Sequence, residues 1–295
     1  MIIQYIPYGQ IDKIKWDACI AVADNSLIYA YSFYLDAMTE KWDAIIINDY
    51  EEVMPLPWKK KWGIKYYYNP PFTPQLGLFK KGNSAISADI LALIQRRVKY
   101  GDIFFNYKNT VALQTLQQTN YIIPLNQQYI NIAAGYKLYL KNILKKSKKE
   151  NFIYSEKENF DTAVALYQQY YFERTPHVTK IDYEHFLNLC KLLSIKKMAF
   201  TRSILDSNNE ILSTSIFFVD KKRIYYIMNA NTPKGKVKES NSILLDSVIK
   251  EFSEKKLFFD FEGSDIKGIK FFYEKFNPVN EPYFYYHFNN LPRLL

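Results

Sequence analysis

Residues 224–261 read IYYIMNANTPKGKVKESNSILLDSVIKEFSEKKLFFDF, and this stretch decides the fold class. The aromatic and β-branched run at Ile224–Asn229 predicts a strand, because such residues fit the half-buried surface of a sheet. A lysine-rich loop is predicted over residues 230–239, and Ser240–Phe252 has the apolar spacing of a helix. Leu257–Phe261 then predicts another strand. We therefore expect an α/β fold built around a mixed sheet.

The elements on either side of this stretch complete one αβ unit. Helices are predicted from apolar residues on one face, and strands from alternating or continuous β-branched and aromatic runs. On these criteria the second half of the chain contains, besides the stretch above, helices at residues 160–172, 183–193 and 265–276, and strands at residues 198–205, 211–219 and 283–288.

The first half of the chain repeats the same order of elements. It is predicted to contain helices at residues 11–23, 28–38 and 84–100, strands at residues 42–48, 53–58, 64–68 and 102–107, and a loop at residues 69–83. The predicted strand that begins at Ile64 corresponds to the one that begins at Ile224, so the elements repeat after about half of the 295 residues. The order predicts a duplication, with domains at residues 1–134 and 135–295. Two unrelated α+β domains that share a coarse order are the alternative.

The composition is that of a folded protein with a sizeable core. Apolar residues make up 48% of the chain and aromatic residues 17%, and this content excludes a disordered chain. The apolar runs are far shorter than the roughly 20 residues that cross a bilayer. Met1–Gln10 has no signal-peptide pattern, so we expect no transmembrane segment and a cytoplasmic location. Cys19 and Cys190 lack a C-x-x-C partner and are expected to be reduced and buried.

The net charge of +9 lies mostly in the second half of the chain. Such an excess favours an anionic partner, which includes a phosphate-bearing cofactor, a nucleic acid or an acidic lipid surface. Part of the excess lies on one predicted helix, Tyr136–Lys149. Its spacing puts four lysines on one stripe, namely Lys137, Lys141, Lys145 and Lys148. A solvated basic face without a partner is the alternative.

Several motifs resemble those of a known family. Those in the second half are Tyr225–Asn229 (YYIMN), Asn241–Leu245 (NSILL), Phe259–Ser264 (FDFEGS) and Lys270–Phe276 (KFFYEKF). They resemble the C-terminal signature of Fem-like proteins, tandem members of the GNAT acyl-CoA N-acyltransferase fold. There a strand ends D-F-x-G and a helix ends F-K-x-F-G, but Asn277 stands here in place of the closing glycine. In the first half, residues 55–58 (PLPW), 68–72 (YNPPF) and 75–79 (QLGLF) resemble a Fem-related group of Bacteroidetes-type genomes.

The resemblance implies two tandem GNAT-like domains and an acyltransferase of a bacterial cytoplasm. The donor would be an acyl-CoA or an aminoacyl-tRNA, and the acceptor an amine on a small molecule or a cell-wall precursor. A tRNA or a phosphorylated precursor would then face the helix Tyr136–Lys149, and its binding would be sensitive to salt. The alternative is a degenerate GNAT-like binding protein without activity. Oligomeric state is left open.

The resemblance also implies where the donor phosphates bind. GNAT domains hold the pyrophosphate at the start of the helix that follows the central strands, a position with free N–H groups. In this chain the matching residues are Lys234, Gly235, Lys236, Lys238 and Ser240, with Ser240 as the expected N-cap. The family's loop is Q/R-x-x-G-x-G/A, and this segment has a single glycine. A solvated loop with lysines at its tip is the alternative.

Asp260 and Glu262 are the candidate catalytic residues. Side chains alternate along a strand, so both carboxylates are expected on one side of it. Two neighbouring carboxylates favour a proton on one of them, which suits a general base for an attacking ammonium. Alternatively they cap the next helix or bind lysines. Asn229 is expected either to hold a substrate carbonyl or to shape the turn after its strand.

Three further residues, Tyr226, Tyr68 and Gln75, are expected to bind substrate in a concave pocket with these groups. The histidines His177, His185 and His287 lack the spacing of metal ligands, so no metal is expected. The chain has no G-x-S-x-G motif. We therefore expect direct attack of the amine on a thioester or ester, without a covalent enzyme intermediate.

Overall fold

The computed structural model describes residues 2–111, 115–263 and 265–292. Ser264, which closes one of the motifs above, lies outside the described residues. The chain forms two compact units. Unit 1 comprises the residues up to 119 together with those from 282 onward, and unit 2 comprises residues 120–281.

Unit 1 begins with the elements of the first 119 residues. Its helices are α1 (Lys13–Val22), α2 (Ser32–Met38) and α3 (Ala88–Arg97). Its strands from this part of the chain are β1 (Ile3–Ile6), β2 (Trp42–Ile47), β3 (Glu52–Lys61), β4 (Ile64–Tyr67), β5 (Phe79–Lys80), β6 (Ser84–Ile86), β7 (Tyr100–Phe105), β8 (Asn109–Val111) and β9 (Leu116–Gln118).

Unit 2 follows, and the chain then contributes one more strand to unit 1. The strands of unit 2 are β10 (Tyr121–Pro124), β11 (Ile153–Ser155), β12 (Ala199–Leu205), β13 (Ile211–Val219), β14 (Arg223–Asn231), β15 (Phe258–Asp260) and β16 (Val279–Asn280). Its helices are α4 (Tyr129–Ala134), α5 (Leu138–Ser147), α6 (Phe160–Tyr171), α7 (Lys180–Ile195), α8 (Pro233–Val237), α9 (Ser240–Glu251) and α10 (Lys267–Glu274). The returning strand is β17 (Tyr283–Asn289).

The two sheets have the same strand order. In unit 1 it is β1-β2-β3-β4-β7-β17-β9, with β5 beside β3. In unit 2 it is β11-β12-β13-β14-β15-β10-β16. Both begin with an antiparallel meander, place a parallel pair in the middle, at β4 with β7 and at β14 with β15, and return to antiparallel pairing. The predicted α/β class, with a mixed sheet and a repeated order of elements, is confirmed.

The sixth strand of each sheet comes from an unexpected part of the chain. β17 follows all of unit 2 in sequence and pairs with β7 of unit 1, whereas β10 directly follows β9 and pairs with β15 of unit 2. The predicted ranges 1–134 and 135–295 assign β10 to the first domain and β17 to the second. The compact units are divided differently, and the predicted ranges stay a prediction.

Local side chains explain several element boundaries. Ser87 accepts from the N–H of Ile90 and caps α3, so the helix predicted from residue 84 starts later, after strand β6. The predicted loop at residues 230–239 instead contains the end of β14 and all of α8. Thr232 caps α8 by accepting from Gly235, and Pro233 stands at the first helical position, where a missing N–H costs nothing.

Each unit buries its own core beside its sheet. In unit 1, Ile45, Met54 and Phe105 belong to one cluster with Ile90 and Ile94 of α3. The core of unit 2 combines sheet residues with apolar residues of α9; Phe217, Phe259, Leu244, Leu245 and Val248 are fully buried in it. Both cysteines are buried free thiols, as predicted. Within the residues that the structure describes, no helix is both long and apolar enough to cross a membrane.

Candidate active site

In the sheet of unit 1, the parallel strands β4 and β7 pair through Tyr67 and Gly101. Beyond this point Leu76 pairs with β7, because its N–H donates to the carbonyl oxygen of Phe104 and it forms a parallel bridge with Phe105. Gly101 allows the close approach to Tyr67, because a Cβ there would lie 2.8 Å from the Phe288 ring and 3.2 Å from Cβ of Tyr67. Tyr100, Asp102 and Phe104 alternate along β7, so their side chains lie on one face of the sheet, where they line the same cavity.

Strand β17 brings a second set of side chains to this face of the sheet. In its antiparallel register with β7, His287 lies opposite Asp102 and Tyr285 lies opposite Phe104. Opposite residues of an antiparallel pair project to the same face with short Cβ separations. A carboxylate, an imidazole and a phenol thus share one face, although Asp102 and His287 are 185 positions apart in sequence.

Asp102 is the centre of a hydrogen-bonded cluster. Its Oδ1 lies 2.9 Å from Nδ1 of His287 and accepts from the hydroxyl of Tyr285 at 2.6 Å. The ring of Tyr100 meets the His287 ring edge-on, with centroids 5.2 Å apart. With Nδ1 donating to Asp102, Nε2 is the ring nitrogen left for a substrate.

The cluster lines an open cavity of about 500 Å³. Aromatic rings form much of the wall, since Phe104 packs on Tyr285 with ring centroids 4.7 Å apart. Its lining residues are Tyr68, Asn69, Tyr100, Asp102, Phe104, Tyr285 and His287. Side chains of Asp102 and His287 are 30% and 42% exposed, so both are within reach of a bound molecule.

The electrostatic environment of the cluster indicates which of its side chains keep their proton. Burial, together with the hydrogen bond to Asp102, raises the pKa of Tyr285. The negative charge of Asp102 is the main cause that raises the pKa of Tyr100. Both phenols therefore stay protonated at neutral pH and keep a hydrogen to donate. The imidazole of His287 is the side chain of the cluster whose chemistry suits a general base, so it is the candidate for that role.

The matching region of unit 2 has a different interior. There β14 and β15 pair through residues 223–225 and 258–260. Beyond this pairing aromatic rings pack together: Tyr273 lies 4.8 Å from Phe261 and 6.3 Å from Tyr226, measured between ring centroids. These residues belong to the hydrophobic core. The two units are therefore alike in topology and unlike in the chemistry of this region.

Asp260, one predicted catalytic residue, is buried in an ion pair. Its Oδ2 lies 2.7 Å from Nη1 of Arg223, whose Nη2 lies 2.7 Å from Glu281. Its Oδ1 accepts from the backbone N–H of Glu262. Both charged side chains are only 3% exposed. The expectation that Glu262 shares a strand face with Asp260 is wrong, because β15 ends at Asp260 and Glu262 has a left-handed φ of 67°.

Asn229 and Tyr226 lie together in a polar network of unit 2. The Asn229 side-chain amide donates to Asn241 at 2.9 Å and to Ser215 at 3.0 Å. The hydroxyl of Tyr226 donates to the same oxygen of Asn241 at 3.1 Å. Burial raises the pKa of Tyr226 well above its ordinary value. The network ties β14 to the first turn of α9.

The predicted donor-binding lysines lie on or next to α8, and each has a contact. Lys234 is paired with Asp206 and, at 2.9 Å, with Glu210. Lys238 lies 2.8 Å from Glu150. Lys236 lies 5.2 Å from the centre of the Tyr171 ring. Two of the three positive charges are thus compensated by carboxylates of this unit.

The other two residues of that segment are buried. A Cβ on Gly235 would lie 2.0 Å from the carbonyl oxygen of Leu212, so this glycine is needed for close packing of α8 on β13. Ser240 donates to Asn231 at 3.1 Å. The expected N-cap role of Ser240 is wrong, because Ser240 is the first helical residue and Glu239, in a left-handed conformation, precedes it.

The two remaining predicted residues, Tyr68 and Gln75, lie in different surroundings. Tyr68 lines the cavity of unit 1. Gln75 is buried and accepts from the backbone N–H of Tyr107 at 3.0 Å. Sequence analysis missed Asp102, Tyr285 and His287, because only the strand register brings them together. A usable signal was the pair of ionisable residues placed inside strands that otherwise read as apolar or aromatic. Among the described residues, no group of three or more His, Cys, Asp or Glu side chains could hold a metal ion.

These features define a class of fold: two GNAT-like units in tandem, each a mixed sheet with helices and with the same strand order. The structure is similar to the crystal structure of FemX, with a TM-score of 0.66 and 12% identity over 96% of this chain and 97% of that chain.

Two other solved structures share the fold. A conserved protein of unknown function from Bacteroides thetaiotaomicron gives a TM-score of 0.59, with 10% identity over 95% of this chain and 99% of that chain. The C-terminal domain of an Agrobacterium fabrum protein described as a lysylphosphatidylglycerol synthetase gives 0.54, with 10% identity over 95% and 92%. No protein-family model and no curated protein sequence matches the chain.

Proposed function

We propose that the protein is an acyltransferase of the Fem-like type, which moves an acyl or aminoacyl group from an activated donor to an amine. The observation that carries this proposal is the cluster of Asp102, Tyr285 and His287 in the cavity of unit 1. Asp102 directly follows Gly101, the residue of β7 that pairs with the parallel strand β4. A fold shared with FemX supports the reaction class.

The cluster suits the proton transfers of amide formation. An ammonium acceptor must lose one proton before its nitrogen can attack, and Nε2 of His287 takes that proton. Asp102 holds the Nδ1 proton and stabilises the imidazolium that results. The new C–N bond forms as the C–S or C–O bond to the donor breaks, and the leaving sulfur or oxygen takes the second proton that the acceptor nitrogen loses on becoming an amide. Tyr285 positions Asp102 through its hydrogen bond.

The donor remains one of two classes. Acyl-CoA and aminoacyl-tRNA both present an activated carbonyl, and the resemblance to Fem-like proteins allows either. Both are cytoplasmic compounds, so we propose a cytoplasmic reaction. The acceptor class is an amine on a small molecule or a cell-wall precursor. Aromatic walls beside the carboxylate of Asp102 suit a cationic amine, because ring faces attract cations.

A binding protein without activity is the second candidate. It is favoured by the segment expected to hold the donor phosphates, where Lys234 and Lys238 are paired with carboxylates and Gly235 is packed against Leu212. Such a protein would keep the cavity and bind an amine there without transferring a group to it.

One experiment separates the two candidates. The protein is titrated calorimetrically with CoA, an acyl-CoA and a charged tRNA, and the donor that binds is then incubated with a panel of amines. Acylated amine is measured by mass spectrometry. We expect His287→Gln to lower turnover by about 10²–10⁴-fold, the usual contribution of a general base, and Asp102→Asn to lower it as well.

His185→Gln is the matched control, because this histidine is exposed on α7 of unit 2, and it should leave turnover unchanged. Full activity of His287→Gln would exclude His287 as the base. Binding of an amine without any product, across all donors, would favour the binding protein.

A further inference from the structure

The helices α4 and α5 of unit 2 carry a concentrated positive charge. Residues 128–149 contain six lysines and no acidic residue. At 3.6 residues per turn, Lys141 and Lys145 lie on the outward side of α5, and Lys148 and Lys149 directly follow the end of the helix. All four are exposed, while Leu140 on the opposite side is fully buried. The basic stripe predicted from the sequence is therefore a surface.

This charge is poorly compensated. Within the described part of the chain, the carboxylate found within 4 Å of these lysines is that of Glu274, which lies 3.8 Å from Lys137 at the start of the stripe. Lys141 donates to the carbonyl of Ala134 at 2.7 Å, a contact that leaves its charge in place. The surface thus remains available to an external anion.

Large apolar side chains project from the same surface. Leu138 is 73% exposed and, by helical spacing, is on the same side of α5 as Lys141 and Lys145. Its neighbour Tyr139 is 54% exposed and lies at the side of this surface, where its hydroxyl donates to Glu239 at 3.1 Å. On α4, Ile130 is 68% exposed, one turn before Ala134, whose carbonyl contacts Lys141. Leucine, isoleucine and tyrosine side chains are thus exposed to water among the lysines.

We infer that this surface, α4 and α5 with their lysines and Ile130, Leu138 and Tyr139, docks on an anionic lipid bilayer. Helices that lie in a membrane interface combine lysines with apolar and aromatic side chains that enter the boundary between headgroups and acyl chains. The lysines are attracted by anionic headgroups within a Debye length. On docking, Leu138 and Ile130 leave water and enter the bilayer. This role explains why such large apolar side chains are exposed on the free protein.

A nucleic acid partner explains fewer features of this surface than a bilayer does. Phosphate contacts explain lysines but leave an exposed leucine and isoleucine without a role. The six cations of residues 128–149 are all lysine, whereas arginine is the side chain best suited to paired phosphate contacts. The bilayer is thus the occupant that uses both the charge and the apolar side chains.

The test measures co-sedimentation of the full chain with vesicles of phosphatidylcholine, with and without phosphatidylglycerol. We expect binding to the anionic vesicles that weakens as salt rises. Changing Lys141, Lys145, Lys148 and Lys149 together to Gln should weaken it at least about tenfold, given the usual contribution of a lysine near an anionic surface. Leu138→Ser should weaken it severalfold at unchanged charge.

The matched controls make the same kinds of substitution at other exposed positions of unit 2. Changing the exposed Lys157, Lys180, Lys197 and Lys256 to Gln removes the same charge from elsewhere on unit 2. Ile195→Ser removes an apolar side chain that is 83% exposed at the end of α7. Both controls should retain most of the binding, and thermal unfolding of every variant should match the parent.

Three results would overturn the inference. The first is an absence of binding by the parent chain to anionic vesicles. The second is an equal loss in both lysine variants, which would indicate net charge alone. The third concerns a fluorescently labelled tRNA as probe: if the α5 lysine variant loses tRNA binding while Leu138→Ser still sediments with vesicles like the parent, the surface binds nucleic acid instead.

Discussion

Asp102 decides both the orientation of His287 and the nitrogen that can react. Because its Oδ1 lies 2.9 Å from Nδ1, the imidazole carries its proton on the side away from the substrate. Asp260 is in the opposite situation, since Arg223 satisfies it inside unit 2. Breaking such a buried pair is costly, typically about 3–5 kcal/mol. Of the two aspartates, Asp102 is thus accessible for chemistry and Asp260 serves stability.

The ion pair of Lys234 with Asp206 gives a prediction on pH. The hydrogen bond from Lys234 is the largest cause that lowers the pKa of Asp206 to about 2, and backbone N–H groups add to it. A carboxyl with a lowered pKa stabilises the fold above its unfolded pKa of about 3.9, and this contribution is lost as pH falls through about 2. Lys234→Ala should raise the pKa toward its ordinary value.

Carboxyl NMR titration of Asp206 measures this change directly. Thermal midpoints of parent and variant should differ at neutral pH and converge between about pH 4 and pH 2. Lys191→Ala, which removes an exposed partner of Asp161, is the control and should leave Asp206 unchanged. An unchanged Asp206 pKa in Lys234→Ala would mean that Lys234 is free to bind an anion, as first expected from the sequence.

At the scale of elements, two helical glycines allow the effect of close packing on stability to be compared with that of helix propensity. Gly235 packs its Cα against the Leu212 carbonyl, whereas a Cβ on Gly268 in α10 would have no neighbour within 4 Å. Gly235→Ala should therefore destabilise the protein by about 1–3 kcal/mol through overpacking. Gly268→Ala should stabilise it by up to about 1 kcal/mol, because alanine favours helix. Urea denaturation measures both, and equal effects would contradict the packing argument.

The elements that sequence predicted are those with a local signal. Helix α7 begins at a Thr179 and Asp182 capping box, and most residues of β13 (ILSTSIFFV) are β-branched or aromatic. The strands β10 and β16 are only four and two residues long, and their place in the sheet depends on pairing with β15 and with each other. Of the cavity, Tyr68 was predicted. His287 was not, because its partner Asp102 is distant in sequence and no spacing rule connects them.

The whole molecule uses one topology twice. In each sheet the sixth strand is not the strand that follows the fifth in sequence. β10 lies between β15 and β16 in the sheet of unit 2, and Tyr121, Ile122 and Ile123 are all buried there. β17 holds the same place in unit 1, between β7 and β9. Each of these strands is therefore interior, and the cavity of unit 1 depends on a strand that follows unit 2 in the chain.

This arrangement predicts which fragments fold. Residues 120–281 contain every strand of the unit 2 sheet, so this fragment should unfold cooperatively on heating. Residues 135–295, the range first predicted for the second domain, lack β10. Without it β15 loses an antiparallel partner and the buried contacts of Ile122 and Ile123, and unpaired backbone groups in a sheet interior are costly. Residues 135–295 should therefore lack a cooperative transition by circular dichroism. Equal stability of the two fragments would favour the boundary at residue 134 over the one at residue 119.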